Sequence, residues 1–180
     1  MTDSDMTPRE ALEARSTRKA GTEREILTDI LHNARSVVAW KLAGVDDATA
    51  KRSVVESATT LLGIVHHLAW VEAWWFHQVF AGDEVDYPFD WDSDPDAEFR
   101  MSDAHTVEGI LGVYERNVLR SDEIIAATGS LDEIVRANDT EFSLRWIIVH
   151  MIDETARHAG HMDIIREQLD GATGYLPPSG

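Results

Sequence analysis

Apolar residues recur along this chain with the three- and four-residue spacing that lines one face of an α-helix. Four segments carry the pattern, at about residues 23–43, 59–81, 106–127 and 143–170. The sequence lacks the alternation of apolar and polar residues that is typical of a half-buried strand. The pattern therefore predicts an all-α fold, a four-helix bundle with one long connection between its second and third helices.

The ends of these segments carry residues that start or stop helices. Thr22 and Glu25 have the spacing of a capping box before the first helix, and Thr106 suits the N-cap of the third. Gly82 and Gly171 follow the second and fourth helices, where glycine commonly ends a helix because it tolerates left-handed backbone. These residues support the helix boundaries that the apolar pattern predicts.

The segment between the second and third helices has no helical period and contains two prolines. We expect a long connection held against the bundle by its aromatic residues, with Phe89 and Trp91 as anchors. The acidic residues between Asp83 and Glu98 do not have the spacing of a helix-loop-helix calcium site. They are therefore predicted to lie in solvent.

The chain has 180 residues, 43% of them hydrophobic and 27% charged, which suits one globular domain. Residues 1–21 are polar and predict a disordered leader, residues 22–176 the helical domain, and residues 177–180 a tail. The leader has no apolar core of a secretory signal, and no apolar run is long enough to span a bilayer. A cytoplasmic location is expected.

The formal net charge of -17 changes the set of expected partners. Such a surface repels nucleic-acid phosphates and anionic lipid, so neither nucleic acid nor a membrane is an expected partner. The sequence contains no cysteine, which excludes disulfides, thiolate metal ligands and a cysteine nucleophile. Any thiol chemistry would need a thiol supplied by a cosubstrate.

The residues with the most chemical potential lie in the fourth predicted helix. Glu154 and His158 are four residues apart and His161 follows three residues later, so the three side chains share one helix face. Imidazole and carboxylate are ligands for divalent metals, and a facing helix of a bundle can supply another. His67 in the second helix shares its face with the apolar Ile64 and is expected to point inward.

Two ordinary structural roles also fit this pattern. A helical histidine is often a half-buried polar residue with one hydrogen bond, and Glu154 could form a surface pair with Arg157 or His158. The inward His67 on a second helix favours the metal site, because both helices must bury the same core. Trp70 and Trp74 are expected to form core and pocket wall.

Three parts of the sequence resemble the DinB/YfiT-like superfamily of four-helix metalloproteins, and look closest to its actinobacterial branch of mycothiol S-transferase-like proteins. The parts are residues 67–76 (HLAWVEAWWF), 144–161 (LRWIIVHMIDETARHAGH) and 170–175 (DGATGY). The resemblance covers about residues 23–175. Members carry one histidine on the second helix and a His-x-x-x-His pair on the last, and the similar mycothiol-dependent maleylpyruvate isomerases have glutamate first in that pair.

The resemblance implies that His67, Glu154 and His158 hold a divalent metal. Zinc is the expected ion, with nickel, manganese or iron as alternatives. His161 stands where many relatives have glutamine, and is either an alternative ligand or a residue that orients the metal-bound groups. Three protein ligands leave at least one position open, as in catalytic rather than structural sites.

The resemblance also implies transfer of a mycothiol-type thiol to a small electrophile, as in detoxification. His150 and His161 are the candidate catalytic residues for proton handling, while Trp70, Trp74 and Arg157 are candidates for binding the cosubstrate. One alternative is a mycothiol-dependent isomerase-like enzyme, which would need cationic residues for an acidic substrate. The other is a metal-binding stress-response protein without turnover.

The second helix also predicts a homodimer. It carries large rings around most of its circumference, and one bundle core cannot easily bury all of them. The rings are Trp70, Trp74, Trp75 and Phe76.

Overall fold

The computed structural model describes residues 17–174 and confirms the predicted helical bundle. Its α-helices are α1 (Glu23–Lys41), the short α2 (Asp47–Ala50), α3 (Leu61–Glu72), α4 (Val107–Ala127) and α5 (Leu144–Asp170). A π-helix (Ala73–Ala81) continues α3, a 3₁₀ turn (Ala97–Phe99) lies in the long connection, and two strands, β1 (Ile134–Ala137) and β2 (Thr140–Ser143), precede α5. Helix α1 packs mainly on α5, and α3 mainly on α4.

The predicted leader and tail fall largely on residues 1–16 and 175–180, which lie outside the described residues. Within the described part, Arg18 forms ion pairs with Glu25 and Asp29 of α1. In residues 17–174 no helix is long and apolar enough to cross a membrane.

The helix ends follow the predicted signals. Thr22 and Glu25 form both hydrogen bonds of a capping box, and the Thr106 side chain accepts a hydrogen bond at the start of α4. Gly82 and Gly171 adopt left-handed backbone with φ of 74° and 73°. Glycine meets this requirement without the steric penalty of a Cβ atom.

A small two-stranded hairpin, which the apolar pattern did not indicate, accompanies the helices. Strands β1 and β2 pair antiparallel, with Val135 opposite Phe142. The turn places Asn138 and Asp139 at φ of 48° and 62°, the backbone that a two-residue hairpin turn requires. Each strand has only four residues, too few for an alternating pattern to stand out in the sequence.

We expect Asp139→Gly to stabilise the protein by about 0.5–1 kcal/mol. Asp139 is exposed and already left-handed, so glycine removes the Cβ strain without removing a buried contact. Asp139→Ala should destabilise the protein instead, since alanine tolerates this backbone less well than aspartate. Urea unfolding of the three proteins measures both changes, and equal stability of the glycine and alanine variants would contradict the turn assignment.

The apolar core consists of two clusters stacked along the bundle. On α5, one cluster contains Ile147 and Met151, and the other contains Ala159 and Met162. Glu154 and His158 lie between them in the sequence of the helix. Glu154 and His158 are therefore partly buried between two apolar clusters.

A buried ion pair ties α1 to α3 near the start of the π-helix. The Arg35 guanidinium donates two hydrogen bonds of 2.7 Å to the Glu72 carboxylate, and a third of 2.7 Å to Asp122 of α4. Arg35 and Glu72 are 1% and 0% exposed, so each neutralises a charge that would otherwise be costly inside the protein. The pair fixes how α1, α3 and α4 sit against one another.

The long connection between the π-helix and α4 covers one side of α3, and its predicted aromatic anchors are confirmed. The Phe89 ring lies 5.9 Å from Trp70, and the Trp91 ring lies 5.9 Å from Trp74, both edge to face. Phe76 is fully buried. The large rings of α3 and the π-helix thus have partners within one chain. Their number is therefore no longer an argument for a dimer, and the dimer itself stays a prediction.

Candidate metal centre

Three side chains from two helices converge between the apolar clusters. Nε2 of His67 on α3 and Nε2 of His158 on α5 each lie 3.1 Å from the same carboxylate oxygen of Glu154. The three side chains are 12%, 14% and 20% exposed, respectively for His67, His158 and Glu154. The helical spacing of Glu154 and His158 and the inward position of His67 are as the sequence predicted.

The three groups fit a divalent metal ion. One nitrogen or oxygen from each lies within 4.8 Å of the others. Ligand atoms about 2.0–2.2 Å from one ion are separated by a similar distance, about 3–4 Å. Two imidazoles and one carboxylate form a donor set that zinc and other first-row divalent ions accept. Among residues 17–174, this is the group of ligating side chains with that geometry.

A fourth residue, Glu98, orients His67 and was missed by the sequence reasoning. Its Oε1 lies 2.8 Å from Nδ1 of His67, and its Oε2 accepts a 3.0 Å hydrogen bond from the Trp91 indole. The expectation that the whole acidic loop is solvated is wrong at this position, because Glu98 is only 8% exposed. A carboxylate on Nδ1 directs Nε2 of the same ring toward a metal.

The 3₁₀ turn that carries Glu98 is fastened to α3 through its backbone. Nδ1 of His66 donates a 2.6 Å hydrogen bond to the Glu98 carbonyl, and Nε2 of His66 accepts one of 3.0 Å from the Trp70 indole. Gly63 permits this close approach, since a Cβ there would lie 3.2 Å from the Phe99 carbonyl oxygen. His66 is thus buried by the connection.

Phe99, next to Glu98, completes the support of His67. The two rings stack with centroids 4.8 Å apart and an angle of 21° between their planes. The aromatic residue directly after Glu98 is the sequence feature that could have indicated its burial. His158 has no comparable support, because its Nδ1 is buried without a hydrogen-bond partner in the described part of the chain.

A cleft of about 300 Å³ opens beside the centre, and both predicted tryptophans lie in its wall. Its lining consists of Trp70, Val71, Trp74, Trp75, Trp91 and Glu98. Glu98 connects the two features, since it contacts both His67 and the wall residue Trp91. A wider groove of about 990 Å³ lies between the end of α1 and the start of α4, and none of the three converging residues lines it.

The other predicted site residues lie at different distances from the centre. The exposed His161 ring contacts the His158 ring, with centroids 5.5 Å apart. The His150 ring stacks on Trp146 at 4.9 Å, about 12 Å along the helix from His158. Arg157 is exposed and pairs with Asp153 at 3.1 Å. The structure therefore brings His161 next to the centre and leaves His150 and Arg157 outside it.

The family model for mycothiol S-transferases matches residues 26–171 of the chain. The match covers most of the sequence and every residue of the candidate metal centre. The chain belongs to the mycothiol S-transferase family. No curated protein and no solved structure matches the chain significantly.

Membership in the mycothiol S-transferase family makes the protonation of this centre relevant to a thiol reaction. Burial lowers the pKa of His67, but its hydrogen bonds to Glu154 and Glu98 outweigh that effect and raise the pKa to about 8. Hydrogen bonds from His158 and His67 hold the pKa of Glu154 well below its usual range. A metal must displace the proton of His67, so metal affinity should rise with pH up to about 8.

The metal-free protein should lose stability between about pH 6.5 and 8. The folded-state pKa of His67 is raised from 6.5 to about 8, so its stabilising contribution is complete below 6.5 and disappears as pH passes 8. A shift of this size corresponds to about 2 kcal/mol. Glu154 gives stability the opposite pH dependence. Because its pKa is lowered in the folded protein, its contribution is lost only on acidification.

Urea unfolding of chelator-treated protein at pH 6 and pH 8.5 measures this loss. The His67→Gln variant is the control, since it cannot gain the charge and should show a flatter pH dependence. Equal slopes for wild type and variant would contradict the assignment of the loss to His67.

Proposed function

We propose that the protein is a metal-dependent transferase that joins mycothiol, or a closely similar thiol, to a small electrophile. Family membership gives the mycothiol S-transferase-like function. The observation that supports metal dependence is the convergence of His67, His158 and Glu154 on one point. A chain without cysteine must take its thiol from a cosubstrate, which is consistent with this reaction.

In this proposal His67, Glu154 and His158 hold one divalent ion, zinc first and nickel, manganese or iron as alternatives. A bound ion would supply charge that favours the thiolate over the thiol near neutral pH. Glu98 keeps the His67 ring in a fixed orientation. The partly buried position of the ligands would limit water at the reacting sulfur.

His161 is the proposed acceptor of the thiol proton. Its side chain is exposed and its ring contacts His158, so it reaches both the centre and bulk water. The thiol loses its proton to His161, the sulfur forms a bond to the electrophilic carbon, and the leaving group departs with its electron pair. His150 remains a candidate with a more remote position, and Arg157 a candidate for contacts with a bound cosubstrate from the exposed face.

The isomerase-like alternative fits the site less well. An acidic substrate needs a cation close to its carboxylate, and the nearest candidate on α5, Arg157, is exposed and paired with Asp153. None of the residues that line the tryptophan-rich cleft is lysine or arginine. Transfer to an electrophile without a negative charge requires no such cation.

Thiol consumption in metal-free and metal-reloaded protein tests the proposed function. The assay uses mycothiol with 1-chloro-2,4-dinitrobenzene and follows loss of thiol and appearance of the aryl thioether. We expect activity only after reloading, and less of it with thiols that lack the sugar part of mycothiol. Stoichiometric metal binding without any conjugation would instead support a metal-binding protein without turnover.

The proposal includes a cytoplasmic location, because low-molecular-weight thiols are kept reduced there. It also includes a homodimer, which sedimentation at micromolar protein concentration would test. Large exposed apolar side chains on α5, Trp146, Val149 and Ile164, are available for a contact between copies. A purely monomeric protein would remove the dimer and leave the metal centre unaffected.

A further inference from the structure

Four of the six tryptophans of the chain surround one cleft next to the metal centre. Trp70 and Trp74 follow His67 by three and seven residues, on the same side of the helix. All four rings are partly exposed, so their faces and edges are available to a ligand. Aromatic surfaces at this density are typical of ligand pockets for planar apolar groups.

The charges around the cleft select against anionic ligands. Its one ionisable lining residue is Glu98, an acid, and no lysine or arginine lines it. Asp90 and Asp92 flank Trp91 in the sequence, and the chain carries a formal net charge of -17. A carboxylate moved from water into such a cleft would lose hydration without gaining a cationic partner.

We infer that the cleft binds the electrophile, and that this electrophile is a planar aromatic compound without a negative charge. Its role as acceptor rests on the proposed function, whereas the selectivity of the cleft rests on the four tryptophans and Glu98. Glu98 in the wall of the cleft contacts Nδ1 of His67, so the cleft adjoins the His67 side of the metal centre. The preference distinguishes this centre from one that handles organic acids.

The proposed reaction with an aryl halide balances without a further reactant. The thiol sulfur forms a bond to the ring carbon that carries the halogen, the halide leaves with the electron pair of the broken bond, and the thiol proton passes through His161 to solvent. Ring stacking in the cleft would hold that carbon in position for the attack.

Isothermal titration calorimetry with unreactive probes tests the inference apart from turnover. The probes are 1,3-dinitrobenzene, which is neutral, and 3,5-dinitrobenzoate, which adds only a carboxylate to the same ring. We expect the metal-loaded protein to bind the neutral probe at least about tenfold more tightly. Trp74→Ala should weaken that binding about tenfold, the effect of losing one aromatic contact and its buried area.

Trp40→Ala is the matched control, because Trp40 lines the separate groove near the end of α1. It should leave binding of the neutral probe within twofold, and circular dichroism should show both variants folded. Equal binding of the two probes, or an unchanged affinity in Trp74→Ala, would overturn the inference. A lack of thiol conjugation with 1-chloro-2,4-dinitrobenzene would count against the proposed function and leave this binding result unchanged.

Discussion

Replacing His158 by alanine should remove nearly all bound divalent metal after dialysis. The variant keeps His67 and Glu154, and two protein ligands hold a first-row ion much more weakly than three. Loss of a residue that only orients a metal ligand lowers metal affinity roughly 10–100-fold. We expect a larger loss here, because His158 is itself an assigned ligand. Conjugation activity should fall with metal content. Mass spectrometry measures the metal content, and competition with a chromophoric chelator measures the metal affinity.

His161→Ala is the control for this experiment. Its ring contacts His158 but is exposed, and it lies outside the group of converging ligand atoms. The variant should keep its metal, with at most about a tenfold loss of affinity. Full occupancy in His158→Ala, or complete loss in His161→Ala while Glu154→Ala loses none, would show that the assigned ligands are wrong.

Glu98→Gln should lower metal affinity about 10–100-fold although every assigned ligand remains in place. Glutamine removes the negative charge of Glu98. Its amide nitrogen can only donate, so it cannot replace both carboxylate oxygens that accept hydrogen bonds from His67 and Trp91. The His67 ring then loses the partner that fixes its orientation. Chelator competition measures the affinity, and the near-ultraviolet circular dichroism of the tryptophans reports the changed contact at Trp91 in the metal-free protein.

Asp96→Asn is matched to this variant, since it removes the same charge from an exposed residue two positions earlier. It should bind metal as the wild type does, which separates the specific contact from the general negative potential. Trp91→Phe removes only the indole donor and should have a smaller effect than Glu98→Gln. Unchanged metal affinity in Glu98→Gln, or equal losses in Asp96→Asn, would contradict the role of Glu98.

Three of the four residues at this centre followed from the sequence because helix geometry is regular. The four-residue spacing of Glu154 and His158 fixes their common face whatever the rest of the chain does. His67 lies among apolar residues that α3 must bury, so its inward direction was also determined locally. The helical period left His161 among the candidates, and the resemblance to the DinB/YfiT-like superfamily selected Glu154 and His158.

Glu98 could not be placed in the same way. It lies in a connection without periodicity, and its burial depends on a backbone contact with His66 and on the space at Gly63. Such contacts are set by tertiary structure, which a helical pattern does not describe. His66, which lies about 100° from His67 around the helix, is buried under the connection for the same reason.

The π-helix and the hairpin show two further limits of pattern reasoning. Beyond Glu72 the helix changes to the wider π form over nine residues, so positions assigned at 100° per residue drift around the axis. Trp75, within the π-helix, faces the hairpin and lies 5.2 Å from the Phe142 ring. The hairpin strands have four residues each and pack against this ring, a tertiary contact that the sequence pattern does not describe.

Anomalous diffraction from crystals of the zinc-loaded protein tests the central claim most directly. Data collected on both sides of the zinc absorption edge locate the metal without reference to the protein's assumed chemistry. We expect one strong peak per chain, between Nε2 of His67, Nε2 of His158 and the carboxylate of Glu154. A stoichiometrically loaded crystal with its zinc peak elsewhere, and none at this position, would contradict the assignment of the metal centre.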